Sequence, residues 1–300
     1  MKHLLKLSDL TSEEIIEILN LADQLKYEKK NGIEHKHLAG KSLGMIFEKS
    51  STRTRVSFEV GMYELGGNPM FLSSNDLQIG RGEPVEDTAR VLSRFVDGIM
   101  IRTFAQKEVE DLAKYGSIPI INGLTDYAHP CQVLADLLTI REHKGKLAGL
   151  KLCFIGDGNN MANSLIVGGI KVGMSVSVAT PEGYKPDADI MAWAAENGDF
   201  TWTSDVLEAA KDADALYTDV WASMGQESEA EERRKIFKSY QINDSVMAVA
   251  RPDAMVLHCL PAHREEEITA KVFEAHADEI FDEAENRLHA QKAVMVKCMK

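Results

Sequence analysis

Apolar residues near the start of the chain fall at Ile15, Ile16, Ile18, Leu19, Leu21, Ala22 and Leu25, the spacing of a helix with one buried face. Thr11 and Glu14 form a capping box just ahead of it. The pattern changes after Gly40. Ser42 to Phe47 is a short apolar run that predicts a strand, followed by a polar loop and a helical spacing through Val56, Phe58, Val60, Met62 and Leu65. The same alternation predicts a strand over Gly98 to Ile101, a helix over Lys107 to Lys114, a strand over Ile118 to Ile121 and a helix over Gln132 to Glu142.

The polar, glycine-bearing stretch Lys144 to Gly149 interrupts this rhythm, and a strongly apolar strand from Leu150 to Ile155 restarts it. Further strands are expected at Ser175 to Ala179, Phe200 to Thr203, Ala215 to Thr218 and Met255 to His258. Strands that alternate with helices build parallel sheets. The expected fold class is therefore α/β, with two domains that are each a parallel sheet flanked by helices, doubly wound and Rossmann-like. The expected boundaries are 1–146 and 147–283. A last helical stretch, 284–300, has no strand after it and is expected to return to the first domain.

A length of 300 residues suits two domains of ordinary size, and 44% hydrophobic content is enough to bury two cores. The formal net charge of -13 speaks against nucleic acid and against anionic membrane surfaces, both of which select basic faces. An anionic ligand would need a local basic site. Cys131, Cys153, Cys259 and Cys298 are too far apart for zinc-type spacing and read as free thiols of a reducing compartment, most of them buried. Lys2, Lys6 and Asp9 break up the first ten residues, and no stretch approaches the roughly 20 apolar residues needed to span a bilayer, so a cytoplasmic location is expected. His3, His35, His37, His143, His276 and His289 follow no chemical pattern and are expected to be solvated. The acidic stretch Glu227 to Glu232 reads as an exposed helix face.

Ser50-Ser51-Thr52-Arg53-Thr54-Arg55 stands where a strand hands over to a helix. Small hydroxyl residues at a helix N-terminus offer unpaired N–H donors and positive potential, and guanidinium groups bind phosphate oxygens in pairs. Taken alone, the segment is a hydroxyl-rich cap beside two solvated arginines. Further polar residues stand at other predicted strand ends, where parallel sheets bind ligands: Arg102, His129, Gln132 and Cys259. Gly156-Asp157-Gly158 raises the different prospect of a dinucleotide-binding oxidoreductase. Met161 stands where the third glycine of that fingerprint belongs, and Ala179-Thr180 where its acidic residue should close the next strand.

Ser51-Thr52-Arg53-Thr54-Arg55, Arg102-Thr103-Phe104, His129-Pro130-Cys131-Gln132 and His258-Cys259-Leu260-Pro261, in that order, resemble the carbamoyltransferase family nearly end to end. Asp219-Val220-Trp221-Ala222-Ser223-Met224-Gly225 resembles the loop of its ornithine-using members. The segment after Pro261 departs from the family, with Glu265 where many relatives carry glycine. The resemblance implies transfer of a carbamoyl group from carbamoyl phosphate to the side-chain amine of ornithine, in arginine synthesis or breakdown, without metal or organic cofactor. For carbamoyl phosphate it implies Ser51, Thr52, Arg53, Thr54, Gln78, Arg102, His129, Gln132, Cys259, Leu260 and Arg287, with Gln78 donated by a neighbouring copy in a homotrimer. For ornithine it implies Asn160, Asp219, Ser223 and Met224.

The chemistry is acyl transfer by a neutral amine, for which Arg102, His129 and Thr54 are suited to polarise the carbonyl. Asp219 and Cys259 are the candidates to receive the amine's proton, set against a loop-capping aspartate and a buried thiol. Sibling transferases that use putrescine, aspartate or an acylated ornithine are disfavoured by Ser223-Met224-Gly225. The retained arginines and histidine speak against a non-catalytic relative.

Overall fold

The computed structural model describes residues 1–78, 82–223, 225 and 227–300. It divides into two compact units: Met1–Leu138 with Asn286–Lys300, and Thr139–Glu285. The chain passes from one to the other within two helices, α5 (Pro130–Lys144) and α12 (Ala277–Met299).

The first unit opens with α1 (Ser12–Lys30), whose capping box is formed: Thr11 Oγ1 accepts from Glu14 N, and the Glu14 carboxylate accepts from Thr11 N. Its sheet comprises β1 (Ser42–Phe47), β2 (Asn68–Ser73), β3 (Gly98–Arg102) and β4 (Ile120–Leu124), in the order β2-β1-β3-β4 with every pairing parallel. Helices α2 (Thr52–Glu64), α3 (Val85–Leu92) and α4 (Gln106–Tyr115) connect them. Ile46, Ile99, Ile101 and Ile120 pack with Val109 and Leu112 of α4, burying the strands on the face the apolar runs predicted. β2 lies at the sheet edge with Pro69 in it and every residue half-buried or exposed, so its apolar run is only Met70-Phe71-Leu72, too short beside a proline to announce a strand.

The second unit holds β5 (Lys151–Ile155), β6 (Ser175–Ala179), β7 (Phe200–Thr203), β8 (Ala215–Thr218) and β9 (Met255–His258), ordered β7-β6-β5-β8-β9 and all parallel. Helices α6 (Asn160–Lys171), α7 (Ala188–Asn197), α8 (Val206–Ala210), α9 (Ala230–Phe237), α10 (Asp244–Val249) and α11 (Ala270–Ala275) complete it. Cys153, Ile155, Leu216, Phe237 and Val256 share one core with Ile280 of α12.

In each sheet the connections reverse direction once. From β1 the chain adds β2 on one side and then β3 on the other; from β5 it adds β6 and β7 on one side, then β8 and β9 on the other. Ligands of open parallel sheets bind beyond the carboxyl ends of strands at such reversals. The expected site residues fall there: Ser51 to Thr54 after β1 and Arg102 ending β3 in one unit, Asp219 after β8 in the other.

Two expectations are corrected. His35 and His289 are buried, and His35 Nε2 lies 2.7 Å from Lys292 Nζ. α12 begins at Ala277, earlier than its periodicity suggested, because Ile280 is needed by the second unit's core.

Candidate functional site

In the first unit, Ser51 caps α2, its Oγ accepting from Thr54 N at 3.2 Å. The capped turn buries Thr54 completely, while Thr52 is exposed and Arg53 half-buried. Thr54 Oγ1 then accepts from Arg287 Nη2 at 3.1 Å, and Arg287 Nη1 donates to Gln132 Oε1 at 2.7 Å. Gln132 in turn donates to Asp136 Oδ1 at 2.8 Å, one turn further along α5. Pro130 at the first position of α5 suits a helix start, where its missing N–H costs nothing.

Arg102, His129 and Arg287 are all buried, and both arginines are near enough to act on His129. Burial first, then the Arg287 and Arg102 guanidiniums, hold the His129 imidazole well below the usual histidine range, so it is neutral near pH 7. Two fixed cations with a neutral imidazole and a helix N-terminus suit an anion, on a chain of negative charge overall. Arg55 takes no part in this cluster: it is exposed, donates to Glu59 Oε1 at 3.0 Å and lies over the Phe71 ring at 3.8 Å. Gln78 is exposed in a turn, its carbonyl accepting from Glu83 N.

In the second unit, Asp219 is the meeting point. Its Oδ1 accepts from Cys259 Sγ at 3.0 Å and from Val220 N at 2.7 Å, and its Oδ2 accepts from Asn159 Nδ2 at 3.0 Å. Asn159 also caps α6, its Oδ1 accepting from Met161 N and Ala162 N. Asn160, the expected residue, is the first of that helix, with Ser164 Oγ donating to its carbonyl. Ser223 is half-buried, and Met224 lies outside the described residues. Leu260 has a φ of +58°, and its N–H donates to His258 Nδ1 at 2.9 Å.

Asp157 faces Asp219 and ion-pairs with buried Arg233 of α9, whose Nε donates to Trp221 O at 2.5 Å. Arg233 thereby ties the segment after β8 to the end of β5. Burial is the main cause that pushes the Asp157 carboxyl up to about 6, against the lowering effect of Arg233. Gly158 is glycine because a Cβ there would lie 2.2 Å from the Lys185 carbonyl carbon. This close passage of the chain's own backbone accounts for the second glycine of the Gly-x-Gly.

Comparison with known proteins supplies the deciding observation. Residues 2–142 match the aspartate/ornithine carbamoyltransferase carbamoyl-P binding domain, and residues 148–298 match the Asp/Orn binding domain of the same family. The chain belongs to the aspartate/ornithine carbamoyltransferase family. Relatives in this family include the ornithine carbamoyltransferase of Thermococcus kodakarensis, 56% identical over 99% of this chain and 96% of its own length. That of Oceanobacillus iheyensis is 57% identical over 98% of this chain and 93% of its own. The solved ornithine carbamoyltransferase of Pyrococcus furiosus superposes with a TM-score of 0.95 at 55% identity, covering 99% of this chain and 97% of that one. Its fold, two parallel sheets flanked by helices, is the α/β architecture expected of the carbamoyltransferase motifs.

Within each unit the structure gathers residues that are remote in sequence. Thr54, Gln132 and Arg287 share hydrogen bonds, as do Asp219 and Cys259. Asn159, Arg233, His258 and Glu267 had not been singled out for function. Asn159 adjoins Asn160 and His258 stands within the motif His258-Cys259-Leu260-Pro261, so both had a positional signal, whereas Arg233 follows directly on the acidic stretch Glu227 to Glu232 and had none.

Proposed function

We propose that the chain transfers the carbamoyl group of carbamoyl phosphate to the side-chain amine of L-ornithine, giving L-citrulline and phosphate. The observation that carries the reading is the cluster in which Arg287 bridges Thr54 and Gln132 beside Arg102 and neutral His129, at the N-terminus of α2. Such a cluster suits a dianionic acyl phosphate. Family membership and full-length relatives named for ornithine support the acceptor.

In this reading residues 1–146, with the helix 284–300, bind carbamoyl phosphate, and 147–283 bind ornithine. Ser51, Thr52, Arg53 and Thr54 cradle the phosphate with their backbone N–H groups, hydroxyls and the Arg53 guanidinium. Arg102, His129 and Thr54 face the carbonyl oxygen, and Gln132 and Arg287 fix the carbamoyl group. Cys259 and Leu260 complete its binding, while Asn160, Asp219, Ser223 and Met224 take the amino acid. The ammonium must first lose a proton, which in this reading goes to Asp219, the carboxylate hydrogen-bonded to Cys259.

The amine lone pair then bonds to the carbonyl carbon, and the C=O electron pair moves onto oxygen. Donors fixed on that oxygen are each worth on the order of 3 kcal/mol in the transition state. Collapse re-forms C=O and expels phosphate with the C–O bonding pair, and the departing phosphate oxygen takes the second proton from the now cationic nitrogen, leaving the neutral carbamoylated amine. The reading also includes a cytoplasmic homotrimer in which Gln78 serves a neighbouring copy's site.

The test incubates the purified protein with carbamoyl phosphate and, separately, ornithine, putrescine, aspartate and an acylated ornithine, following phosphate release and carbamoylated product. Ornithine is expected to give the highest kcat/KM by a wide margin. A higher value with another amine, or no product with any, overturns the assignment.

A further inference from the structure

We infer that the buried His258–Glu267 pair is a positioning device that sets the Cys259–Leu260 turn. The inference rests on the proposed function for its catalytic consequence but has a readout independent of it. β9 ends at His258, and the chain must turn sharply there to bring Cys259 Sγ within 3.0 Å of Asp219 Oδ1. Leu260, with its φ of +58°, occupies the left-handed region, which is unfavourable for a residue with a side chain because its Cβ crowds the backbone. A hydrogen bond from Leu260 N to His258 Nδ1, 2.9 Å, holds it there.

An imidazole nitrogen accepts only when it carries no proton. The ring proton of His258 must therefore sit on Nε2, where it faces Glu267 Oε1 at 3.0 Å. His258 is 1% exposed and Glu267 0%, so no solvent competes for either group. The same Glu267 oxygen accepts from His263 N at 2.5 Å, which closes the loop from Pro261 to His263 back onto the pair. On the other side, His258 N donates to Glu283 Oε2 at 2.8 Å, so the backbone at the end of β9 is fixed as well. The carboxylate selects the tautomer, the tautomer creates the acceptor, and the acceptor shapes the turn. Neither His258 nor Glu267 needs to touch a substrate.

The test uses three substitutions in the full-length protein. His258→Asn places an amide oxygen near the Nδ1 position and retains the acceptor for Leu260 N–H. His258→Gln places its terminal nitrogen near Nε2, keeping a donor for Glu267 while losing that acceptor. His258→Leu loses both. Amide hydrogen exchange at Leu260 is expected to be slow in wild type and His258→Asn, and at least tenfold faster in His258→Gln.

The kcat/KM for ornithine should follow the same order, falling roughly tenfold in His258→Gln, the size expected for one lost hydrogen bond. Carbamoyl phosphate affinity, carried mainly by first-unit residues, should change by less than about threefold, the scatter of one weak contact. Equal Leu260 exchange in Asn and Gln variants would overturn the inference, as would long-range ¹⁵N spectra showing wild-type His258 protonated on Nδ1. If His258→Leu fails to fold, the other two variants and the wild-type tautomer still decide. Should the wild type fail to carbamoylate ornithine, the functional reading falls while the exchange and tautomer results still judge the positioning role.

Discussion

A single guanidinium illustrates how much one residue carries here. Arg53 is half-buried on the first turn of α2, while Arg55, two positions on, is drawn away by Glu59 and Phe71. Arg53→Gly should weaken carbamoyl phosphate binding by at least tenfold in calorimetry, because a charge-assisted contact contributes about 1.5–3 kcal/mol, whereas Arg55→Gly should leave the affinity within about threefold. Unchanged affinity for Arg53→Gly would remove it from the phosphate cradle.

His129 titrates below its unfolded value of 6.5, so the unfolded chain takes up this proton first as the pH falls. Its contribution to stability is full above about pH 6.5 and is lost progressively as the pH falls toward the folded value. Asp157 behaves in the opposite sense. Its folded value of about 6 exceeds the unfolded 3.8, so the folded state holds the proton more tightly and this contribution declines as the pH rises between those two values. Carboxyl ¹³C shifts of Asp157 should titrate near about 6, and a midpoint near 3.8 would contradict the burial argument. At this scale the strand-end residues Arg102 and Cys259 were legible because position and chemistry coincide in the sequence. Asp157, Arg233 and Glu267 were not, because each acquires meaning from a partner tens of residues away or from burial that only folding supplies.

Among elements, α6 couples structure to chemistry through its cap. Asn159 satisfies two N–H groups of the first turn and still reaches Asp219 with its amide nitrogen. Asn159→Ala should lower stability by about 1 kcal/mol, the usual value of a cap, and should also raise the KM for ornithine by freeing the Asp219 carboxylate. Asn159→Asp should restore the cap in thermal melts without restoring the KM, because two carboxylates would then face each other; full recovery of both would show that the cap alone matters. Gly158→Ala forces backbone against backbone and should cost about 1–3 kcal/mol in chemical denaturation.

The interior strands were readable almost residue by residue. Ser42–Phe47 and Ala215–Thr218 are buried on both faces and therefore nearly continuous in apolar character. The edge strand Asn68–Ser73 was not readable, since proline and half-exposed positions hide its extended conformation.

At the scale of the whole molecule, the proposed trimer predicts a sedimentation coefficient for three copies of a 33.3 kDa chain. Gln78→Ala should then lower activity in a way that mixing with an Arg53→Gly variant partly rescues, because each hybrid site draws on two copies. A monomeric species with full activity would refute the shared site. No helix among the described residues is long and apolar enough to cross a membrane.

The first unit is discontinuous: Asn286, Arg287 and Lys292 of α12 bond to Lys26, Thr54, Gln132 and Glu64. A fragment ending at residue 142 should therefore melt without a cooperative transition, because Lys26, Glu64 and Gln132 would lose buried partners. Domains usually fold in the order of their synthesis. Here Arg287, which joins Arg102 as a buried arginine of the first unit, is encoded beyond the whole of the second unit, so a ribosome-bound chain that stops short of it should leave carbamoyl phosphate free in solution until both units are made.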